Sequence, residues 1–229
     1  MREFFGQCQD WGLANARPKQ APDASFDDIM PGRKGEWQQT SLGGRFYPLD
    51  PRQEEVFISD IANGLALDCR YSGQGMVGRF YSVAEHSVLM ARYAFSVAKW
   101  PPLAALAVLL HDAPEAYLND LSRAVKHAVG SAYTDLEANI GRVIDESFGV
   151  TPWRIICASK IKTIDRRMVP VEKVAIMRYP QPWAFDQYQP LEGVNVQCWA
   201  PPRAKREFLD CYLALCKVAK IAPQEVVYE

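Results

Sequence analysis

The sequence predicts an all-α protein: a single globular helical bundle with an irregular N-terminal arm and a short hairpin. Two observations predict it. From about residue 54 onward, apolar residues recur with the period of a buried helix face. The breaks between these stretches fall at proline, glycine and capping residues, where helices start and stop. With 229 residues, 48% of them hydrophobic, the chain can build one substantial core.

Residues 1–39 are rich in Pro, Gly, Gln and Asp and show little periodicity, so they read as an irregular arm. Phe4, Phe5, Trp11, Phe26 and Trp37 give that arm apolar anchors. Residues 40–51 read as a short hairpin or extended turn, bent at Gly43-Gly44 and stopped by Pro48 and Pro51. Val56, Ile58, Ile61 and Ala62 then lead into Leu65 and Leu67 on one helix. A Gly-rich loop covers 71–78. Ser82, three residues before Glu85, is a capping-box pattern that opens a helix running to about Lys99. Trp100-Pro101-Pro102 breaks it, and Pro102 fits the first turn of the next helix. That helix is apolar on nearly all faces, hence central, and Pro114 ends or kinks it just after His111-Asp112. Leu136, Ile140, Val143 and Ile144 share a face within 131–148, and Gly149 is the stop. Thr151-Pro152 opens a helix carrying Ile156, Ile161, Ile164 and Asp165. Residues 181–202 look irregular, and 203–220 form a last amphipathic helix through Phe208, Tyr212, Leu215, Cys216 and Ala219. The expected organisation is an arm over 1–39, a domain over 40–220 and a tail over 221–229.

The formal net charge of −1 argues against nucleic acid as the main partner, since a basic excess is expected there. No run approaches the roughly 20 apolar residues of a membrane span. The first residues lack the basic-then-apolar order of a signal peptide, so a cytoplasmic location is expected. Cys8, Cys69, Cys157, Cys198, Cys211 and Cys216 form no C-x-x-C pair and read as reduced, mostly buried thiols. The apolar arm is compatible with a homo-oligomer.

Only three histidines occur: His86, His111 and His127. His111 and Asp112 close the most apolar helix of the chain, where an unpaired ionisable pair is costly to bury. Adjacent helical residues diverge by roughly 100°, so the pair flanks an ion lying over the helix end. His86 lies near the start of a second helix and Asp165 midway along a third. Two imidazoles with two carboxylates suit one divalent transition ion, Zn, Mn, Co, Ni or Fe, rather than Ca. Each residue also has an ordinary structural explanation. An adjacent His-Asp pair alone is weak, a first-turn His can bond locally, and Asp165 beside Arg166 and Arg167 fits a solvated charge. His127 carries no such mark and reads as structural.

The spacing H-x24-HD with a later helical Asp resembles the HD-domain metal pattern, and the surrounding text sharpens the likeness. DIANGLALDCRYSG (60–73), FYSVAEHSVLMA (80–91) and ALAVLLHDAPEAYLNDL (105–121) are similar to small bacterial and phage HD phosphohydrolases that act on deoxynucleotides. The resemblance runs from about Thr40 to residue 216. It implies His86, His111, Asp112 and Asp165 as metal ligands. It implies Glu115 as the group that handles a proton of the attacking water or leaving group, and Asp120 as a second acid near the scissile bond and sugar. It implies Arg70 and Tyr71 at the phosphate and pocket wall, and Lys126 on the phosphate. Residues 120–126 lack the prolines that the family often has there, which bears on base preference.

The resemblance implies metal-dependent water attack at the phosphorus next to the 5′ oxygen, releasing a deoxynucleoside. A dNTP substrate, dATP-like, is expected because Arg79, Arg123 and Lys126 suit a longer anionic tail; a 5′-deoxynucleotidase acting on dNMPs is the alternative. A phosphodiesterase or alarmone hydrolase on the same site is a further enzyme alternative. A non-catalytic nucleotide sensor is an alternative of another class, disfavoured by Glu115, and a nuclease is disfavoured by the near-neutral charge.

Overall fold

The computed structural model describes residues 32–228. Residues 1–31, most of the expected arm, lie outside them, as do Phe4, Phe5, Trp11 and Phe26. Eight α-helices occur among the described residues, with one two-stranded hairpin ahead of them. The expected all-α bundle is therefore what the chain forms. The hairpin pairs β1 (Gln38–Gln39) with β2 (Arg45–Phe46), Gln38 opposite Phe46. Its first strand falls within residues expected to be arm. Gly43 makes the bend at φ +82°, a conformation open to glycine at little cost.

The helix expected from about residue 54 begins instead at Ile58, as α1 (Ile58–Leu67), after a separate 3-10 turn at Gln53–Glu55. Val56 and Phe57 are extended between the two. The start of α1 is closed by the C-terminal tail, where Gln224 Oε1 accepts from Ile58 N at 2.9 Å. Leu67 is 61% exposed, because the buried face of α1 runs through Ile58, Ile61, Ala62 and Leu65 and turns away from it.

Helix α2 (Val83–Arg92) continues through a π-helical turn over Tyr93–Val97, close to the expected end. Ser82 caps it, its Oγ accepting from Glu85 N. The reciprocal half of the capping box does not form. Glu85 is fully buried, and its carboxylate accepts from the backbone N–H groups of Gln197 (2.6 Å), Cys198 (3.1 Å) and Trp199 (2.6 Å). Three converging amides outcompete a single donor at the cap and fasten the irregular segment before the last helix to the start of α2.

Helix α3 (Pro102–Leu109) is the centre of the bundle, with every residue from Ala104 to Leu110 fully buried. Its alanines let α2 and α8 (Pro201–Ala219) close on it. The helix stops at Leu109, three residues earlier than expected and before His111. Pro114 has no N–H for the Leu110 carbonyl and disfavours helical geometry at Ala113, so 110–114 turns instead. One turn of helix, α4 (Glu115–Leu118), follows. Gly64 of α1 lies so close to α4 that a Cβ there would sit 2.7 Å from the Ala116 carbonyl oxygen. The hairpin lies on the same turn, where Phe46 stacks on Tyr117 with centroids 3.8 Å apart.

Helices α5 (Arg123–Val129), α6 (Ser131–Ser147) and α7 (Thr151–Ile176) complete the bundle. The α6 face forms as expected, with Ile140, Val143 and Ile144 buried. In α7 the buried stripe is Cys157, Ile161, Ile164 and Met168, and Ile156 stands 69% exposed, off that stripe. The segment 181–200 is irregular apart from a turn at Ala184–Gln187. Its chain is held to α7 by Lys173, whose Nζ lies 2.7 and 2.8 Å from the two Asp186 carboxylate oxygens. Cys69, Cys157, Cys198, Cys211 and Cys216 are free thiols, and among the described residues no helix is long and apolar enough to cross a membrane.

Replacing Glu85 by Ala takes the acceptor from three backbone amides, that of buried Trp199 among them. We expect a loss of about 2 kcal/mol or more of unfolding free energy in urea denaturation. An unchanged midpoint would remove Glu85 as an anchor.

Candidate metal centre

Three separate elements bring the four expected ligands together. His86 sits in the first turn of α2, His111 and Asp112 in the turn after α3, and Asp165 midway along α7. His86 Nε2 lies 3.3 Å from His111 Nε2, 3.5 Å from Asp112 Oδ2 and 3.6 Å from Asp165 Oδ1. His111 Nε2 lies 3.2 Å from Asp112 Oδ2. The ligand atoms of His86, His111 and Asp112 all lie within 4.8 Å of one another, and Asp165, 38% exposed at its side chain, approaches from the open edge.

The break at Pro114 makes this convergence possible. In a continuing helix His111 and Asp112 would diverge by roughly 100°. In the turn that replaces it they point the same way. The break also removes the helical spacing that would have put Glu115 on the face of His111; Glu115 instead follows the turn, its backbone N–H on the Asp112 carbonyl at 2.9 Å.

Both imidazoles are pinned through Nδ1. His111 Nδ1 donates to the Val108 carbonyl at 2.7 Å, and His86 Nδ1 to Glu172 Oε1 at 2.5 Å. Each neutral ring then carries its lone pair on Nε2, and the two lone pairs face each other beside a carboxylate. Only a proton or a cation between them makes that arrangement favourable. Ligands about 2.1 Å from an ion stand about 3.0 Å apart in an octahedron and about 3.4 Å in a tetrahedron, so the donor spacings suit a small transition ion. The residues present fit such an ion.

The surrounding charges fit as well. Burial alone would raise the Asp112 carboxyl, yet His111, His86 and Arg70 hold it far below the usual range. Burial likewise opposes a charge on His111, and Asp112 overrides it to raise the imidazole above its ordinary value. Glu172, which the sequence did not single out, is fully buried. Burial would raise it, but the Arg70 guanidinium and His86 bring it down to about 2. Tyr71 and Tyr81 both donate to it, the latter at 2.8 Å. Glu172 stands seven residues after Asp165, two helical turns along one face, and that spacing is the signal that could have found it.

Arg70 contacts Asp112 at 3.3 Å through Nη1 and approaches Glu172 at 3.4 Å through Nε. Tyr71, at φ +58°, has its phenol on Glu172 and its ring 5.6 Å from that of Trp183. Glu115 is buried, one oxygen accepting from Lys126 Nζ at 2.9 Å and Oε2 without a partner. Burial, then Asp112 and Asp120, push the Glu115 carboxyl well above its ordinary value. Lys126 also donates to Glu137 at 2.9 Å, so it is clamped between two carboxylates. Asp120 is tied through its backbone N–H to Asp68 at 2.6 Å, close to Arg70. A groove of about 570 Å³ opens from His111 and Asp112 along α6 and the start of α7, with Lys126, Glu137, Arg142 and Arg154 on its walls. That volume is within the range of small-molecule sites.

No family model matches the chain. It is 34% identical over 188 residues to the uncharacterized protein RCAP_rcc00048 of Rhodobacter capsulatus, covering 76% of this chain and 93% of that one. It is 32% identical over 135 residues to the uncharacterized protein YfdR of Escherichia coli K12, covering 59% of this chain and 69% of that one.

Two measurements check the site. Asp112→Ala should lose a bound divalent transition ion while helical circular dichroism survives; full occupancy by elemental analysis would remove Asp112 from the ligand set. In the metal-free protein a raised His111 pKa means that the proton stays on to higher pH and must leave when metal binds. Metal affinity, measured against a competing chelator, should therefore fall about tenfold per pH unit below that pKa. A flat profile across that range would contradict a histidine ligand.

Proposed function

The chain belongs to one family with RCAP_rcc00048 and YfdR, and for it we propose a metal-dependent phosphohydrolase of the HD-domain kind that acts on 5′-deoxynucleotides. One observation carries this: a convergent His-His-Asp group, two members of which line a groove with Lys126, and a buried carboxyl with an unpartnered oxygen, Glu115, held by that same lysine. A bound transition ion supplies Lewis-acid chemistry there, polarising a phosphate oxygen and activating water. The remaining work falls to the chain. Glu115, its pKa raised by burial and by Asp112 and Asp120, is suited to carry a proton and deliver it to the departing 5′ oxygen. Lys126 holds Glu115 in place and offsets charge in the groove. Arg70, already on Asp112, directs its guanidinium toward the same phosphate.

The substrate follows from how much of the pocket is already engaged. The triphosphate expectation relied on Arg79, Arg123 and Lys126. Lys126 is held by Glu115 and Glu137, Arg123 lies over the Phe185 ring at 5.4 Å, and Arg79 bonds with Cys198. That favours a deoxynucleoside monophosphate over a triphosphate. Tyr71, fixed at both its phenol and its ring, makes a rigid wall against an added 2′-hydroxyl.

Glu115→Gln should lower kcat by about 10²-fold or more with metal retained, the scale of a lost proton-transfer group. Wild-type turnover would demote Glu115 to structure. The proton argument fixes a sign: kcat of the wild type should fall as pH rises through the Glu115 pKa. In a chromatographic panel of dNMPs, dNTPs and NMPs, dNMPs should go fastest and yield the free deoxynucleoside. Equal rates on AMP and dAMP would contradict the wall at Tyr71.

A further inference from the structure

We infer that Glu172 is a positioning residue for the metal centre: it fixes His86 as an Nε2 donor and ties that donor to Tyr71 of the pocket wall. This role rests on the metal reading of the site and not on any substrate, so metal binding measured without substrate tests it apart from the hydrolysis assay.

Glu172 is fully buried, and every group around it is a donor. Its Oε1 takes the His86 Nδ1 hydrogen at 2.5 Å and the Tyr81 hydroxyl at 2.8 Å, with Arg70 Nε at 3.4 Å. Its Oε2 takes the Tyr71 hydroxyl. A carboxylate accepts only, so a neutral His86 has a single way to complete this arrangement: Nδ1 must carry the hydrogen and Nε2 the lone pair. That lone pair is the one aimed at His111, Asp112 and Asp165. A carboxylate behind an imidazole also raises its basicity and stops ring rotation, which strengthens it as a ligand.

Helix α7 thus contributes twice, with Asp165 at the ion and Glu172 behind His86, two turns apart. The same carboxylate holds Tyr71, whose backbone at φ +58° and that of Ser72 at φ +51° are left-handed without being glycine. Conformations of that kind persist only where the surroundings over-determine them. The phenol on Glu172 is one such constraint.

A purely structural Glu172 would tie α2, residues 70–71 and α7 together and leave coordination alone. The test separates the two. Glu172→Gln offers one acceptor oxygen and one NH2 group to a set of donors. Where the NH2 meets Nδ1, His86 must move its hydrogen to Nε2 and stops being a ligand. We expect a 10- to 100-fold loss of Zn²⁺ or Co²⁺ affinity and a changed Co²⁺ absorption spectrum, the scale for such supporting partners. Tyr81→Phe removes a neighbouring donor and leaves the Nδ1 contact, so its affinity and spectrum should match the wild type. Wild-type affinity and spectrum in folded Glu172→Gln would overturn the assignment. Should that variant not fold, nitrogen NMR of the metal-free wild type at a pH where the ring is neutral decides: the Nδ1–H tautomer of His86 supports the role, and the Nε2–H tautomer overturns it.

Discussion

Two imidazole nitrogens that carry lone pairs when their rings are neutral face each other at 3.3 Å, with a carboxylate oxygen within 3.5 Å of each. Electrostatics makes that arrangement unfavourable unless a positive charge fills it, and the bundle is organised to hold it regardless. The central helix α3 is buried on all sides, so its C-terminal turn cannot drift. The start of α2 is fixed by the Ser82 cap and by the anchoring of Glu85. Helix α7 closes the third side. A candidate site assembled from three rigid elements is preorganised for an ion, and a preorganised site loses less entropy on binding.

The parts of this structure that are legible in sequence are those where local and global preferences agree. The apolar run of α3, the spaced face of α6 and the amphipathic α8 follow from periodicity alone. The His86-His111-Asp112 group is legible for a different reason: an ionisable pair at the end of an apolar helix needs a partner. The exact end of that helix is not legible from periodicity, because Pro114 acts backwards through Ala113 and the Leu110 carbonyl. Leu67 and Ile156 fit their helical stretches by residue type, but which face is covered depends on neighbours distant in sequence.

Buried carboxylates are the least legible elements. Glu85 looks like half of a capping box, and Glu172 looks like any charge on a helix. Each is instead the acceptor for donors more than 80 residues away in sequence: the amides of 197–199 for Glu85, and His86 and two phenols for Glu172. No local pattern encodes such pairings. Both residues solve the same problem, that of a desolvated charge, by collecting enough donors to replace water. Lys126 does the converse, an ammonium held between Glu115 and Glu137.

The contact between Gly64 and Ala116 brings two backbones together with only the Ala116 methyl at the contact. Ala116 follows Glu115 directly, so the separation of α1 and α4 also sets where that carboxyl stands. A methyl group on α1 would wedge the helices apart and shift Glu115 together with the turn that carries His111 and Asp112. Tolerance to mutation in this protein is therefore not graded by distance from the chemistry: a position with no reactive group, on a helix that supplies no ligand, is held as tightly as the ligands are.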